Sequence, residues 1–155
     1  MQISAGILFV YKDRILLAQP TKSRGNMWGI PKGKVEAGEN YAQAASRETM
    51  EEIGVYVDPN KLSECELITY IDRRTSNIYK KVYYYVYHVT DLSELGLTSI
   101  YVPKHKLGLE EISSAKFMAK DEASRVIFWR QRKVLDVLGT NEDIEEHTAD
   151  TQCVA

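Results

Sequence analysis

The apolar and polar positions of this chain fall into blocks that predict a mixture of strands and helices. Residues 2–11 (QISAGILFVY) form an apolar run of buried-strand length. Lys12-Asp13-Arg14 punctuates it, and Ile15-Leu16-Leu17-Ala18 returns, which predicts a hairpin. Residues 20–29 read as a loop. Residues 31–38 (PKGKVEAG) are too glycine-rich for a helix and predict a short strand followed by a loop. Residues 39–53 switch to helical periodicity, with Asn40 as N-cap and Gly54 just past the end. Residues 62–71 and 82–89 predict two more strands, the second dense in tyrosine, with a basic loop over 72–81 (DRRTSNIYKK) between them. Residues 115–119 predict a short final strand. Asp121 then predicts the cap of a last helix running to residue 138, with Ala123, Val126, Ile127, Val134, Val137 and Leu138 on one stripe and Gly139 as its stop. No internal repeat is visible. This irregular alternation predicts an α+β chain, an α/β/α sandwich around a central mixed β-sheet.

A length of 155 residues predicts one domain. With 44% hydrophobic and 27% charged residues, the composition is that of a globular protein and excludes wholesale disorder. No apolar run approaches the roughly 20 residues of a membrane span, so no membrane partner is expected. The N-terminus lacks the basic segment of a signal peptide. Two cysteines, Cys65 and Cys153, make no disulfide framework or metal cluster, and a reducing, cytoplasmic location is the expectation. The net charge of −2 is unevenly spread. Residues 139–155 carry five acids and no Lys or Arg, which leaves +3 on residues 1–138. That asymmetry suits a polyanionic ligand. The folded domain is therefore expected over 1–138, and the acidic stretch 139–155, without apolar periodicity, is expected to be disordered. Monomer and homodimer both stay open.

The helix over 39–53 carries the chemistry. With ~100° per residue, Glu51 and Glu52 fall at about −60° and +40° from Glu48, so three carboxylates crowd one arc. Like charges at these spacings cost a helix a few tenths of a kcal/mol per pair, roughly. A divalent cation would offset that cost, because hard Mg2+ prefers carboxylate oxygens. Taken alone, three glutamates on one face are also what a solvated surface helix shows. Ala42, Ala45, Thr49 and Ile53 form the adjoining face, small enough to pack closely on a sheet.

The flanking residues change the balance. Gly33, Glu39, Arg47, Glu48, Glu51, Glu52, Gly54 and Val55 stand at the spacing G-x5-E-x7-R-E-U-x-E-E-x-G-U, where U is a bulky apolar residue. That pattern resembles the Nudix box. At average residue usages its fixed positions recur by chance roughly once in 10^8 starting points. One departure exists: Thr49 occupies the first U, and it is close to valine in size. The resemblance implies a Nudix fold and metal-dependent hydrolysis of a nucleoside diphosphate linked to another group, with Mg2+ or Mn2+ as cofactor. It implies that Glu48, Glu51, Glu52 and the backbone carbonyl of Gly33 hold the metal, and that Arg47 orients the glutamates through Glu39 or Glu48. The general base is Glu48, or an acid from outside the box, for which Glu111 and Glu110 stand ahead of the last predicted strand. Lys32 and Lys34 flank Gly33 and can reach phosphates as point charges.

The substrate is less legible. Trp28-Gly29-Ile30-Pro31-Lys32-Gly33-Lys34 resembles the approach to the box in diadenosine polyphosphate hydrolases, diphosphoinositol polyphosphate phosphatases and mRNA-decapping enzymes. Tyr70 stands near a tyrosine associated with the diadenosine group, and its π face suits adenine, although a chain with 10 tyrosines places one there easily. Arg73, Arg74, Lys80 and Lys81 lie in a loop that can gather a polyphosphate chain or an RNA 5′ end. Motifs of NADH and coenzyme A pyrophosphatases are absent. Dinucleoside polyphosphates lead; ADP-ribose or nucleotide sugars, oxidised nucleoside triphosphates and capped RNA follow. A Nudix-fold nucleotide sensor without catalysis is the alternative of another class, disfavoured because every box glutamate is kept.

Overall fold

The computed structural model describes residues 1–23 and 25–139. Readings that fall beyond, the disorder of the acidic tail and the state of Cys153 among them, lie outside the described residues. Six strands, β1 (Gln2–Tyr11), β2 (Arg14–Pro20), β3 (Lys32–Lys34), β4 (Glu64–Ile71), β5 (Ile78–Val89) and β6 (Ile112–Ala119), form one mixed sheet. Its order is β4-β5-β1-β2-β6, with β3 added to β1. β1 runs parallel to β5 along its whole length, and the other neighbours are antiparallel.

The predicted hairpin of β1 and β2 forms, but it pairs only at Val10↔Ile15 and Tyr11↔Arg14. Beyond that point β2 leaves β1 and follows β6. β3 takes up the vacated edge of β1 at Ser4, Ala5 and Gly6. The segment between β2 and β3 crosses this opening, tied to β2 by reciprocal Ala18–Gly29 backbone bonds of 2.7 and 2.9 Å. The split in the sheet is where the site described below is built.

Helix α1 (Tyr41–Ile53) lies on one face. Asn40 and Gln43 form a reciprocal capping box, and Gly54, at φ 67°, closes the helix by donating to the Met50 carbonyl. Ala44, Ala45 and Ile53 pack against Ile7, Phe9 and Phe117. The opposite face packs Leu8, Val82, Tyr84 and Met118 against Ala123, Ile127, Val134 and Leu135. Two apolar layers with a sheet between them make the expected α/β/α sandwich.

Three elements differ from the sequence expectation: β6 begins at Ile112 rather than 115, and the last helix and β5 change as follows, the helix starting from Ala119 rather than from a cap at Asp121. The last helix is broken: α2 spans Lys120–Val126, residues 127–128 are extended, and a 3-10 helix covers Trp129–Leu138. The cause is a competing backbone interaction. Trp28 donates to the Val126 carbonyl, and Phe128 donates to the Trp28 carbonyl, both at 2.8 Å. The β-branched and aromatic residues Val126, Ile127 and Phe128 are weak helix formers, so this pairing wins locally. β5 also begins at Ile78 rather than 82, because a tight turn over 72–77, closed by Asp72 accepting from the Arg74 amide, returns the chain early. Lys80 and Lys81 are thus strand residues, paired with Tyr70 and Thr69.

The Thr49 hydroxyl is fully buried in α1 and has no hydrogen-bond partner among the described residues. Thr49→Val keeps the shape and removes an unpaired polar atom. We expect it to stabilise the fold by ~1 kcal/mol in urea unfolding. A loss of stability would mean the hydroxyl is bonded in solution.

Candidate active site

Arg47 organises the acidic end of α1. Its Nε and Nη2 grip both oxygens of Glu39 at 2.7 and 3.0 Å. Its Nη1 donates to Glu48 at 2.9 Å and to Glu51 at 3.2 Å, and its Nη2 also donates to the Lys34 carbonyl at 2.9 Å. Bidentate pairing of this kind is geometrically selective. The surrounding carboxylates hold the Arg47 guanidinium firmly protonated, above its ordinary range. Glu39, which also accepts from the Glu36 amide, is held below the usual carboxylate range, chiefly by its bond from Arg47. Of the two expected partners, Glu39 and Glu48, Arg47 therefore binds both.

Glu48 and Glu52 turn away from solvent. Burial pushes the Glu48 carboxyl upward against the opposing pull of Arg47. Glu52 is 8% exposed. Desolvation drives its pKa up to about 8, partly countered by the Lys32 amide, which donates to it at 3.0 Å. Glu111 arrives from the loop before β6. That loop is anchored by the Gly108 amide on the Glu52 carbonyl at 2.9 Å, and by the Thr21 amide on the Glu111 carbonyl at 2.8 Å. Carboxylate oxygens of Glu48, Glu52 and Glu111 lie within 4.8 Å of one another. Glu110 is its exposed neighbour and is not in that group.

Glu51, grouped with Glu48 and Glu52 by the helical wheel, is mostly exposed and leans on Arg47 instead of joining the three. Gly33 fits the Glu48 carboxyl closely. A Cβ there would stand 2.0 Å from the Glu48 Cδ, so only glycine allows the strand to lie against this carboxyl.

A cleft of ≈ 220 Å³ opens beside Glu52 in the split between β1 and β2. Trp28, Tyr70, Phe128, Lys32, Lys80 and Gln131 are among its lining residues. Tyr70, expected from the sequence to contact substrate, is one of these lining residues. The buried Gln131 accepts from the Ile30 amide at 2.9 Å and donates to the Tyr70 hydroxyl at 3.1 Å, which fixes the cleft wall. Gly29 permits that closeness, since a Cβ would lie 2.8 Å from the Gln131 Oε1. Burial and the neighbouring Lys32 and Lys34 depress Lys80 to about 8.

Three expected substrate contacts lie elsewhere. Lys81 shares a strand face with Tyr83 and Tyr85, on the α1 side of the sheet, so Lys80 and not Lys81 enters the cleft. Lys34 is on the Lys80 side but outside the lining. Arg73 stacks on Trp129 beyond the cleft, with its centre 4.5 Å from the indole. The sequence reading missed Phe128 and Gln131. Their position depends on the helix break, and the only signal was the run of poor helix formers at 126–129.

Solved structures resemble this chain in fold, and curated relatives match part of its sequence. An 8-oxo-dGTP diphosphatase of Proteus vulgaris is 37% identical over 70 residues, 44% of this chain and 58% of the relative. The chain spans 12% and 58% of the lengths of two curated relatives that it matches. The crystal structure of a C. elegans Ap4A hydrolase binary complex superposes with a TM-score of 0.61 at 22% identity, covering 87% of this chain and 93% of that one. A MutT NUDIX hydrolase of Burkholderia pseudomallei gives 0.62 at 21% identity, covering 87% and 95%. No described helix is long and apolar enough to cross a membrane. The family model of the NUDIX domain matches residues 1–138, and the chain belongs to that family.

Proposed function

We propose that this chain hydrolyses a phosphoanhydride bond in a nucleoside diphosphate derivative, with dinucleoside polyphosphates as the leading substrate class. The observation that carries the reading is the convergence of Glu48, Glu52 and Glu111, two of them desolvated, beside a cleft with aromatic and cationic walls. Carboxylates this close repel one another, and a shared cation or protons relieve what Arg47 and solvent do not. Three hard oxygen donors fit Mg2+ or Mn2+. Glu51 and the Gly33 carbonyl would complete the metal set that the resemblance to the box implies. When bound, the cation neutralises phosphate oxygens and makes water nucleophilic.

The chain's own residues do the rest. Trp28, Tyr70 and Phe128 offer ring faces and edges to a base. Lys32 and Lys80 meet the phosphates, and an anionic ligand restores full charge on Lys80. Arg47 keeps Glu48 in a single orientation. Glu48 takes the proton from the attacking water, and its burial raises its basicity. Glu111 is the second candidate for that proton. Relatives and solved neighbours named for Ap4A and 8-oxo-dGTP hydrolysis support a nucleotide substrate. An RNA 5′ end and ADP-ribose belong in the same test panel.

Glu52→Gln should lower kcat at least about a hundredfold, the loss expected when a metal-set carboxylate goes. Its effect on stability has a definite sign. The Glu52 carboxyl sits at about 8 in the metal-free fold, above its ordinary range. The fold therefore prefers the neutral form and loses stability as pH rises from roughly 5 to 8. In EDTA, Glu52→Gln should raise Tm at pH 8 and leave it level at pH 4, and Mg2+ should stabilise only the parent protein. Gly33→Ala should leave folding intact but displace the Glu48 carboxyl, with kcat falling more than KM changes. The pH–rate profiles of Glu48→Gln and Glu111→Gln identify the base: the acidic limb disappears in the variant that lacks it. Release of phosphate products from none of the panel, with Mg2+ or Mn2+, would overturn hydrolysis in favour of a nucleotide sensor.

A further inference from the structure

A second feature, which the hydrolysis proposed above leaves unused, lies along the outer edge of β4. A shallow groove of ≈ 290 Å³ is lined by Thr69, Ile71, Arg73, Trp129 and Arg130. The Trp129 side chain is 49% exposed. Two guanidiniums lie against its indole, Arg73 at 4.5 Å and Arg130 at 4.1 Å from the ring centre. Neither forms an ion pair among the described residues, where the recorded pairs engage Arg47, His88, Lys116, Arg125 and Lys133. Two like charges on one exposed ring, without a carboxylate, leave a local positive potential for an anion.

The groove is continuous with the cleft. Arg130 lies 5.8 Å from the centre of the Tyr70 ring, which is a cleft wall, and 5.4 Å from that of Tyr79. Phe128, another cleft wall, meets Tyr70 and Trp129 edge-on at 5.9 and 6.1 Å. A donated bond of 2.9 Å from Arg130 to the Ile71 carbonyl ties the guanidinium to the β4 edge. An aromatic row thus leads from the cleft out to an indole flanked by two guanidiniums.

That chemistry matches one class of ligand. A base stacks on an indole or a guanidinium plane with little preference for its identity, and guanidiniums take phosphate oxygens in pairs. An acidic peptide would use the charges but leave the indole without a flat partner. We propose that Arg73, Trp129 and Arg130 form a second nucleotide subsite, which receives the base and phosphate on the far side of the scissile anhydride. The inference rests on the hydrolytic reading for its orientation. It means that the chain takes substrates with a nucleotide at both ends of the phosphate chain. Two sources share this chemistry, a dinucleoside polyphosphate and the first residues of an RNA 5′ end.

Equilibrium binding to the full chain, by calorimetry in EDTA, separates the outcomes without needing turnover. The probes are diadenosine tetraphosphate, adenosine 5′-tetraphosphate and a 5′-triphosphorylated trinucleotide RNA. The parent protein should bind the two-base compound about tenfold more tightly than the one-base compound, the usual gain from one stacked base. Trp129→Ala should remove that advantage, leave the affinity for adenosine 5′-tetraphosphate unchanged and keep the parent Tm. Arg73→Gln should reduce the same advantage and its salt dependence. A Trp129-dependent gain for the RNA and none for the dinucleoside would assign the subsite to an RNA end. Equal affinities for one- and two-base probes, an advantage that survives Trp129→Ala, or no binding of any probe would overturn the subsite. Absence of turnover with the binding pattern intact would sink the hydrolytic reading alone.

Discussion

One guanidinium holds the acidic end of this molecule together. Helix α1 and the turn before it bring Glu36, Glu39, Glu48 and Glu51 around Arg47, and Arg47 contacts all four while also reaching the Lys34 carbonyl. Without that cation the carboxylates would repel across a single helical turn, and β3 would lose one of its links to α1, the bond at the Lys34 carbonyl. Lysine could not substitute: a point charge on a flexible stem cannot grip Glu39 with two parallel bonds and still hold Glu48 and the backbone. The helix is thus stable because its acids are divided. Some are satisfied by Arg47, and Glu52, which Arg47 does not reach, is left facing the interior.

The strand arrangement explains why Glu52 can remain there. A continuous β1–β2 ladder would have no room for the segment at 28–34. Because β2 peels away after two residue pairs, that segment enters the sheet, and the Lys32 amide becomes available to the Glu52 carboxylate. One backbone donor is weak compensation for a desolvated charge, and its raised pKa records the shortfall. The same opening supplies the cleft. The buried Glu52 carboxyl and the cleft are consequences of a single topological departure, and this accounts for their adjacency.

Much of this was legible in the residues themselves. The capping box at Asn40, the Gly54 stop and the spacing of Arg47 from its glutamates are local features, and local features survive folding. What failed was information that lies across the chain. A helical wheel groups Glu51 with Glu48 and Glu52 but cannot see Arg47 drawing Glu51 outward, nor Glu111 arriving from a loop about sixty residues on. Lys80 and Lys81 could not be told apart because strand parity depends on where β5 begins, and a turn closed by Asp72 sets that point. The periodic stripe at 123–138 was real, since Ala123, Val134 and Leu135 are buried on the predicted side. The break within it came from Trp28, a residue about a hundred positions earlier.

That break joins the two walls of the cleft. In an unbroken helix, the amides of Val126 to Phe128 would be used internally and nothing would tie them to Trp28. The Ile127 amide still donates to the Ala123 carbonyl, but the Phe128 amide donates to the Trp28 carbonyl and the Val126 carbonyl accepts from the Trp28 amide, and so the wall at 28–30 and the wall at 128–131 are fixed to each other. Phe128 then faces the cleft, Trp129 faces the β4 edge, and Gln131 returns inward to hold Tyr70. Alternation over so few residues is a property of extended and 3-10 backbone, and a regular α-helix would distribute these side chains differently around its axis. Helix formation was thus given up over two residues, and the gain is a rigid aromatic corner with one side chain on each surface. The cleft and the cationic groove thus share one wall, with Phe128 and Arg130 between them.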